Sequence, residues 1–311
     1  MCLFGERSPR KKSAYRPKPK PKQALSPVPA KPKFEPKPFV PPKIPEYFTP
    51  PAMPTRPTEK KTTGPKPAVD MEKEFIKTFK QLTHTRRPWG VWEDFILMAA
   101  CALSNPVDKA HYEERKNRYL LTIKKYNKQE QELFPTLFAQ VVMAMEANPD
   151  QDFLGRVCTN LNMTDEGKKQ IFTPYSVCQL MARLTLHDVV QKVRENGYIT
   201  IDDPCCGAGA TLIAAIMLAK ESLEKACLNF QSHILVSGQD IDETVALMCY
   251  IQLSLLGVAA YIKVGNALTE PMTTADSLEN YWFTPMYFSD VWAMRRAVQQ
   301  MDRLLQKGNE E

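Results

Sequence analysis

The sequence predicts an α/β domain with a parallel sheet, preceded by an all-helical domain and a disordered basic tail. Strand-like and helix-like runs alternate after Gln170, apolar residues recur at helical spacing from Met71 to about Asn162, and 18 of the 26 prolines crowd into the first 70 of 311 residues. The expected boundaries are 1–68 for the tail, 69–165 for the helical domain and 166–311 for the α/β domain.

Residues 1–70 carry 16 Lys/Arg against 5 Asp/Glu, a net +11, while the rest of the chain is net −5, so the overall +6 comes from the tail. Proline at this density removes backbone donors and fixes φ, and the few apolar residues cannot offset the entropy of ordering. Its Pro-Lys units, as in Pro17-Lys18-Pro19-Lys20, favour extended polyproline II with a charge at every second residue. Such a segment suits a nonspecific nucleic-acid arm with salt-dependent affinity, or equally a linker or a docking tail. No run approaches the ~20 apolar residues of a membrane span, and the first residues lack the apolar stretch of a secretory signal. A cytoplasmic protein without membrane contact is expected.

In the helical domain, Phe75, Ile76, Phe79 and Leu82 form one stripe, Trp92, Phe95, Ile96 and Ala99 a second, and Leu133, Leu137, Val141 and Met145 a third. Breaks at Pro88, Asn105-Pro106 and Asn148-Pro149 make four or five helices. The stripes read as core. Arg115, Lys116, Arg118, Lys124 and Lys125 read as a solvated face, with DNA contact as the alternative.

Beyond Gln170, helices are expected over 177–190, 210–228 and 244–256, strands over 198–201, 233–237 and 260–264, and an amphipathic helix over 291–305. Strands separated by helices form parallel βαβ units, and ligands bind outside the carboxyl ends of such strands. Eight cysteines, with Cys205 and Cys206 adjacent and no C-x-x-C, fit neither a disulfide framework nor a zinc ribbon; Cys101, Cys158, Cys178, Cys227 and Cys249 read as buried thiols. The four histidines lack ligand spacing, and no metal site is expected.

The strand tips hold the chemistry. The first strand runs into Asp202-Asp203-Pro204-Cys205-Cys206-Gly207-Ala208-Gly209 and straight on into a helix. Gly207 and Gly209 let the backbone turn and approach a ligand, and Asp203 can accept from a cationic amino group. A phosphate loop would need Gly-Lys-Ser/Thr, and a dinucleotide fingerprint a small residue where Leu212 stands. The second strand ends at Gln239-Asp240-Ile241, an acid able to accept from ribose hydroxyls. The third ends at Gly265-Asn266, and Phe172-Thr173-Pro174 opens the helix before the first strand.

These residues resemble the adenine-specific DNA methyltransferases of the N-6 DNA methylase family, in the form found as modification subunits of type I restriction systems. The likeness covers about Ile171 to Thr269 and rests on DPCCGAGATL, GQDID and ALMCYIQLSLLG followed by GNAL. It implies a Rossmann-like S-adenosylmethionine-dependent methyltransferase fold with a helical region in front. It also implies S-adenosylmethionine binding: Phe172, Thr173, Pro174, Asp203, Cys205, Gly207 and Gly209 around the methionine moiety, Asp240 on the ribose, and Ile241 and Asn266 near the adenine. Where that family carries Asp at the third strand tip, this chain has Asn266.

Methyl transfer to adenine N6 requires a flipped base, held by a polar side chain, a backbone carbonyl and a stacking ring. The family supplies these with Asn/Asp-Pro-Pro-Tyr/Phe, which is absent from this chain. Thr284-Pro285-Met286-Tyr287 is the nearest match, making Thr284, Pro285 and Tyr287 the candidate catalytic residues; the alternative is that Tyr281-Trp282-Phe283 and Tyr287-Phe288 pack against the sheet. The domain reads as truncated after its third strand. The expected function is adenine-N6 DNA methylation, with DNA bound through the tail and helical domain and a specificity subunit as partner. The alternative is a catalytically silent cofactor-binding scaffold or regulatory subunit; a third reading is an RNA or protein methyltransferase.

Overall fold

The computed structural model describes residues 70–161 and 172–310, with side chains described as far as Met301. The tail assignment lies outside the described residues, which fall within the compact unit Pro65–Glu311.

Five helices come first: α1 (Met71–Leu82), α2 (Pro88–Ser104), α3 (Tyr112–Ile123), α4 (Lys128–Ala147) and α5 (Phe153–Asn160). Pro88 opens α2, where its missing N–H costs nothing. A reciprocal capping box starts α4: Asn127 Oδ1 accepts from Glu130 N at 3.0 Å, and Glu130 Oε2 accepts from Asn127 N at 2.9 Å. The rings of Phe75, Phe79, Trp92, Phe95 and Phe153 pack edge-to-face or offset, with centroids within 6.2 Å of a neighbour. Such pairs add about 0.5–1.5 kcal/mol each beyond their buried area.

The α/β part follows as α6 (Tyr175–Thr185), α7 (Val189–Asn196), β1 (Ile199–Asp203), α8 (Ala210–Lys225), β2 (Ile234–Asp240), α9 (Glu243–Leu255), β3 (Ala259–Val264), β4 (Tyr281–Phe283) and α10 (Asp290–Glu310). The sheet order is β1-β2-β3-β4; the first three strands are parallel, and β4 runs antiparallel to β3. One face, carrying Ile199, Val236, Ile262 and Trp282, joins a continuous core that includes α9 and the helices of the first segment. Among the described residues β1 pairs only with β2, leaving its outer edge open.

The structure corrects four expectations. The helix expected over 177–190 is two helices, parted where Asp188 takes a left-handed φ of 56°. On α6 the large residues Val177, Leu180, Met181 and Leu184 are exposed, and the small Cys178 and Ala182 pack on Ala210, Ala214 and Ala215 of α8. Cys227 is exposed, with φ 57° just past α8. The sheet does not stop at β3, because β4 returns along it.

Arg115 belongs to no solvated face. It is 2% exposed and donates to Ser104 Oγ, Asp108 Oδ2 and the Tyr281 carbonyl at 2.5, 2.7 and 2.6 Å, with its guanidinium 3.9 Å from the Trp282 ring centre. Arg118 pairs with Glu243 and Lys125 with Asp94.

Candidate functional site

The carboxyl end of β1 turns into a loop held from three sides. Asp203 Oδ1 accepts from Cys205 N at 3.0 Å, and its other oxygen accepts from the Thr211 hydroxyl at the start of α8. Cys206 N donates to the Gln239 carbonyl of β2 at 2.9 Å, and Gly207 N donates to Asp240 Oδ2 at 2.9 Å. Gly209 N then closes a turn on Cys206 O at 2.8 Å, one residue before α8 begins. The loop therefore lies across the tips of β1 and β2, with the N–H groups of α8 opening into it.

The two glycines differ in what surrounds them. Gly207, at φ 55°, has open space where a Cβ would stand. Gly209, at φ 97°, lies against α9, and a Cβ there would be 2.8 Å from Cys249 Sγ. One leaves room for a ligand; the other lets the loop sit on the core. Cys206 is buried, and a hydrogen bond with Cys249 together with burial pushes its thiol well above the ordinary range, so it is an unreactive packing group. Cys205, its neighbour, is exposed.

Asp240 stands at the tip of β2, its carboxylate also accepting from Asp242 N at 2.9 Å. Burial raises its pKa, while the backbone donors Asp242 and Gly207 pull the other way. Ile241 beside it is 69% exposed. Gly265 N donates to Asp240 O at 2.9 Å, joining the tip of β3, where Asn266 Oδ1 accepts from Leu268 N at 2.9 Å. Phe172 is half-buried against the core, and Thr173 and Pro174 are exposed at the start of α6. Cys178, one turn into that helix, packs with Ala210 at the start of α8, so α6 begins close to the loop.

Behind the loop lies an amide that sequence reading missed. Gln252 of α9 is fully buried; its Nε2 donates to Ala208 O and Asp152 Oδ1, both at 2.8 Å, and its Oε1 accepts from Leu154 N at 3.1 Å. Asp152 also caps α5 through Gly155 N at 2.9 Å. A lone amide inside the apolar run ALMCYIQLSLLG was the available signal.

Thr284, Pro285 and Tyr287 are not brought to this site. Because β4 is antiparallel, they lie at the amino-terminal end of β3, roughly 20 Å of strand from its tip. Thr284 is fully buried, its hydroxyl accepting from Ala260 N at 2.8 Å and donating to Val258 O at 2.7 Å. It serves as a sheet fastener, which corrects its assignment to the base pocket. Among the described residues no group of His, Cys, Asp and Glu is arranged for a metal, and no helix is long and apolar enough to cross a membrane.

A parallel sheet with a glycine loop after β1 and an acid at the tip of β2 is an architecture that binds ribose-containing cofactors outside the carboxyl ends of its strands. The family model described as N-6 DNA Methylase matches residues 151–309, just over half of the chain, and the chain belongs to that family. A comparison with curated proteins finds no match. Among solved structures, a protein described as a class I S-adenosylmethionine-dependent methyltransferase from Listeria monocytogenes aligns with TM-score 0.38 and 14% identity. The alignment covers 68% of this chain and 57% of that one. The family's cofactor is S-adenosylmethionine, and the open space at Gly207, the acid at 240 and the bare Ile241 fit it.

Proposed function

We propose that the chain acts in S-adenosylmethionine-dependent methylation of DNA at adenine N6. The observation that carries this reading is the loop 203–209 fastened to Asp240, within a chain of the N-6 DNA methylase family. The bound cofactor supplies an electrophilic methyl group. The chain's own residues would hold it: Asp203 would accept from the cationic amino group, Asp240 from the ribose hydroxyls, and Ile241 and Asn266 would lie by the adenine. Phe172, Thr173 and Pro174, with the Cys205 and Gly207 backbone, would bound the methionine moiety, and Gly209 seats the loop on the core. DNA is drawn in through the basic tail, whose charge is net +11 over the first 70 residues.

A second reading, a cofactor-binding subunit without its own turnover, is favoured by one observation. The polar-Pro-aromatic stretch 284–287 lies at the opposite end of the sheet from the loop, so a partner, such as a specificity subunit, would furnish the base pocket. Modified-base sequencing of DNA from a methylation-free host expressing the protein, beside Asp240→Ala, tests both. Adenine methylation lost in the variant supports the enzyme. Calorimetry showing S-adenosylmethionine binding without methylation supports the subunit, and unchanged binding in Asp240→Ala would sink both readings.

A further inference from the structure

The sheet face turned away from α8 and α9 holds a second concavity, separate from the cofactor loop. It has a volume of about 610 Å³, within the usual range of small-ligand sites of about 300–1,000 Å³. Its floor is Tyr261 of β3 and Phe283 of β4, which the register places opposite each other, and its walls are Tyr287 and, from α10, Trp292 and Arg296.

The rings form a fixed wall. Phe283 and Tyr287 have centroids 4.8 Å apart at 34°, and Tyr261 meets Tyr287 edge-on at 6.1 Å. Phe283 is buried, whereas Tyr261 and Tyr287 are half-exposed, and among the described residues neither tyrosine hydroxyl has a hydrogen-bond partner. Arg296 lies 4.0 Å over the Tyr287 ring and donates to the Tyr287 carbonyl at 2.8 Å. Its neighbour Arg295 stacks on Tyr198 and Trp292 at 5.3 and 5.4 Å. Among the described residues neither arginine is paired with a carboxylate. The one acid lining the cavity, Asp276, is taken up by Lys263 at 2.6 Å, which holds its carboxyl far below the usual range. Gln299 and Gln300 place two carboxamides at the rim.

Aromatic faces, unclaimed tyrosine hydroxyls and a lining guanidinium without a counter-charge, with that of Arg295 next to it on α10, are the chemistry that takes a nucleobase with its phosphate. We propose that this cavity is a stacking site for a base of single-stranded DNA, with Arg296 and Arg295 on the adjoining phosphates. The assignment of DNA rather than another strand rests on the function proposed above. The site lies off the cofactor loop, so its role is to hold a strand and not to methylate it.

The test is photo-crosslinking of the full chain to an oligothymidylate containing 5-iododeoxyuridine, with crosslinked peptides mapped by mass spectrometry. Crosslinks at Tyr261 or Tyr287 are expected; crosslinks confined to the Pro/Lys tail would overturn the proposal. In anisotropy titrations with the same oligonucleotide, Tyr287→Ala and Arg296→Gln should each weaken binding by about tenfold, with S-adenosylmethionine affinity unchanged by calorimetry. Wild-type affinity in both variants would overturn it. Crosslinking at Tyr287 without adenine methylation would retain this site and count against the enzyme; methylation with crosslinks only in the tail would do the reverse.

Discussion

Gln252 and Ala208, 44 positions apart, are joined by a 2.8 Å hydrogen bond from the side-chain amide to a carbonyl of the loop 203–209, and the same nitrogen reaches Asp152. One buried side chain thus fixes the loop to the start of α5. Gln252→Ala leaves the Ala208 carbonyl and the Leu154 N–H without partners in the core. Unfolding in urea should show a loss of about 2–4 kcal/mol, and calorimetry a weaker S-adenosylmethionine isotherm. A variant matching wild type in both would mean that the bonds are replaceable.

Asp152 is buried, and that burial raises its pKa against the pull of Gln252 and Gly155. A carboxyl with a raised folded-state pKa contributes stability that is present when protonated and is lost as pH rises through the folded value. Asp152→Asn keeps the acceptor oxygen and removes the charge. The variant should melt a few degrees above wild type at neutral pH, with the gap closing as pH falls through the folded pKa of Asp152 towards the ordinary aspartate range. A gap independent of pH would contradict this.

Thr284→Val keeps the shape of a fully buried side chain while removing its bonds to Ala260 N and Val258 O. The expected cost is about 1–3 kcal/mol of stability. Cofactor affinity should not change, since the residue lies at the far end of β3. A selective loss of S-adenosylmethionine binding in a folded variant would return Thr284 to the site.

The glycines of the loop should separate folding from binding. Gly207→Ala takes a left-handed position costing about 1–2 kcal/mol, with nothing to strike within the protein, so its main effect is on the ligand. Gly209→Ala drives a Cβ against Cys249 at a φ of 97°. Thermal melts should rank Gly209→Ala well below Gly207→Ala, while calorimetry finds cofactor affinity reduced in Gly207→Ala.

The parallel strands and the loop were legible because both are written locally. β1, β2 and β3 show as short apolar runs ending in Asp, Gly or Asn, and the loop lies directly between β1 and α8. β4 was not legible as a direction. Its antiparallel return depends on the connection after Asn266, anchored where buried Lys263 donates to the carbonyls of Glu270 and Pro271 and pairs with Asp276. No periodicity encodes that anchor. The packing face of α6 was not legible either: its large apolar residues face outward, and the small Cys178 and Ala182 pack on α8. Arg115 read as surface because its partner at Tyr281 lies 166 positions away.

That separation matters while the protein is being made. α3 leaves the ribosome long before β4, and until then Arg115 has only Ser104 and Asp108 of the same short stretch to meet its charge. The carbonyl of Tyr281 and the ring of Trp282 arrive only 166 residues or more after Arg115. The seam at α3 is therefore closed only once β4 is in place, and a chain cut short before residue 281 leaves Arg115 without those two partners.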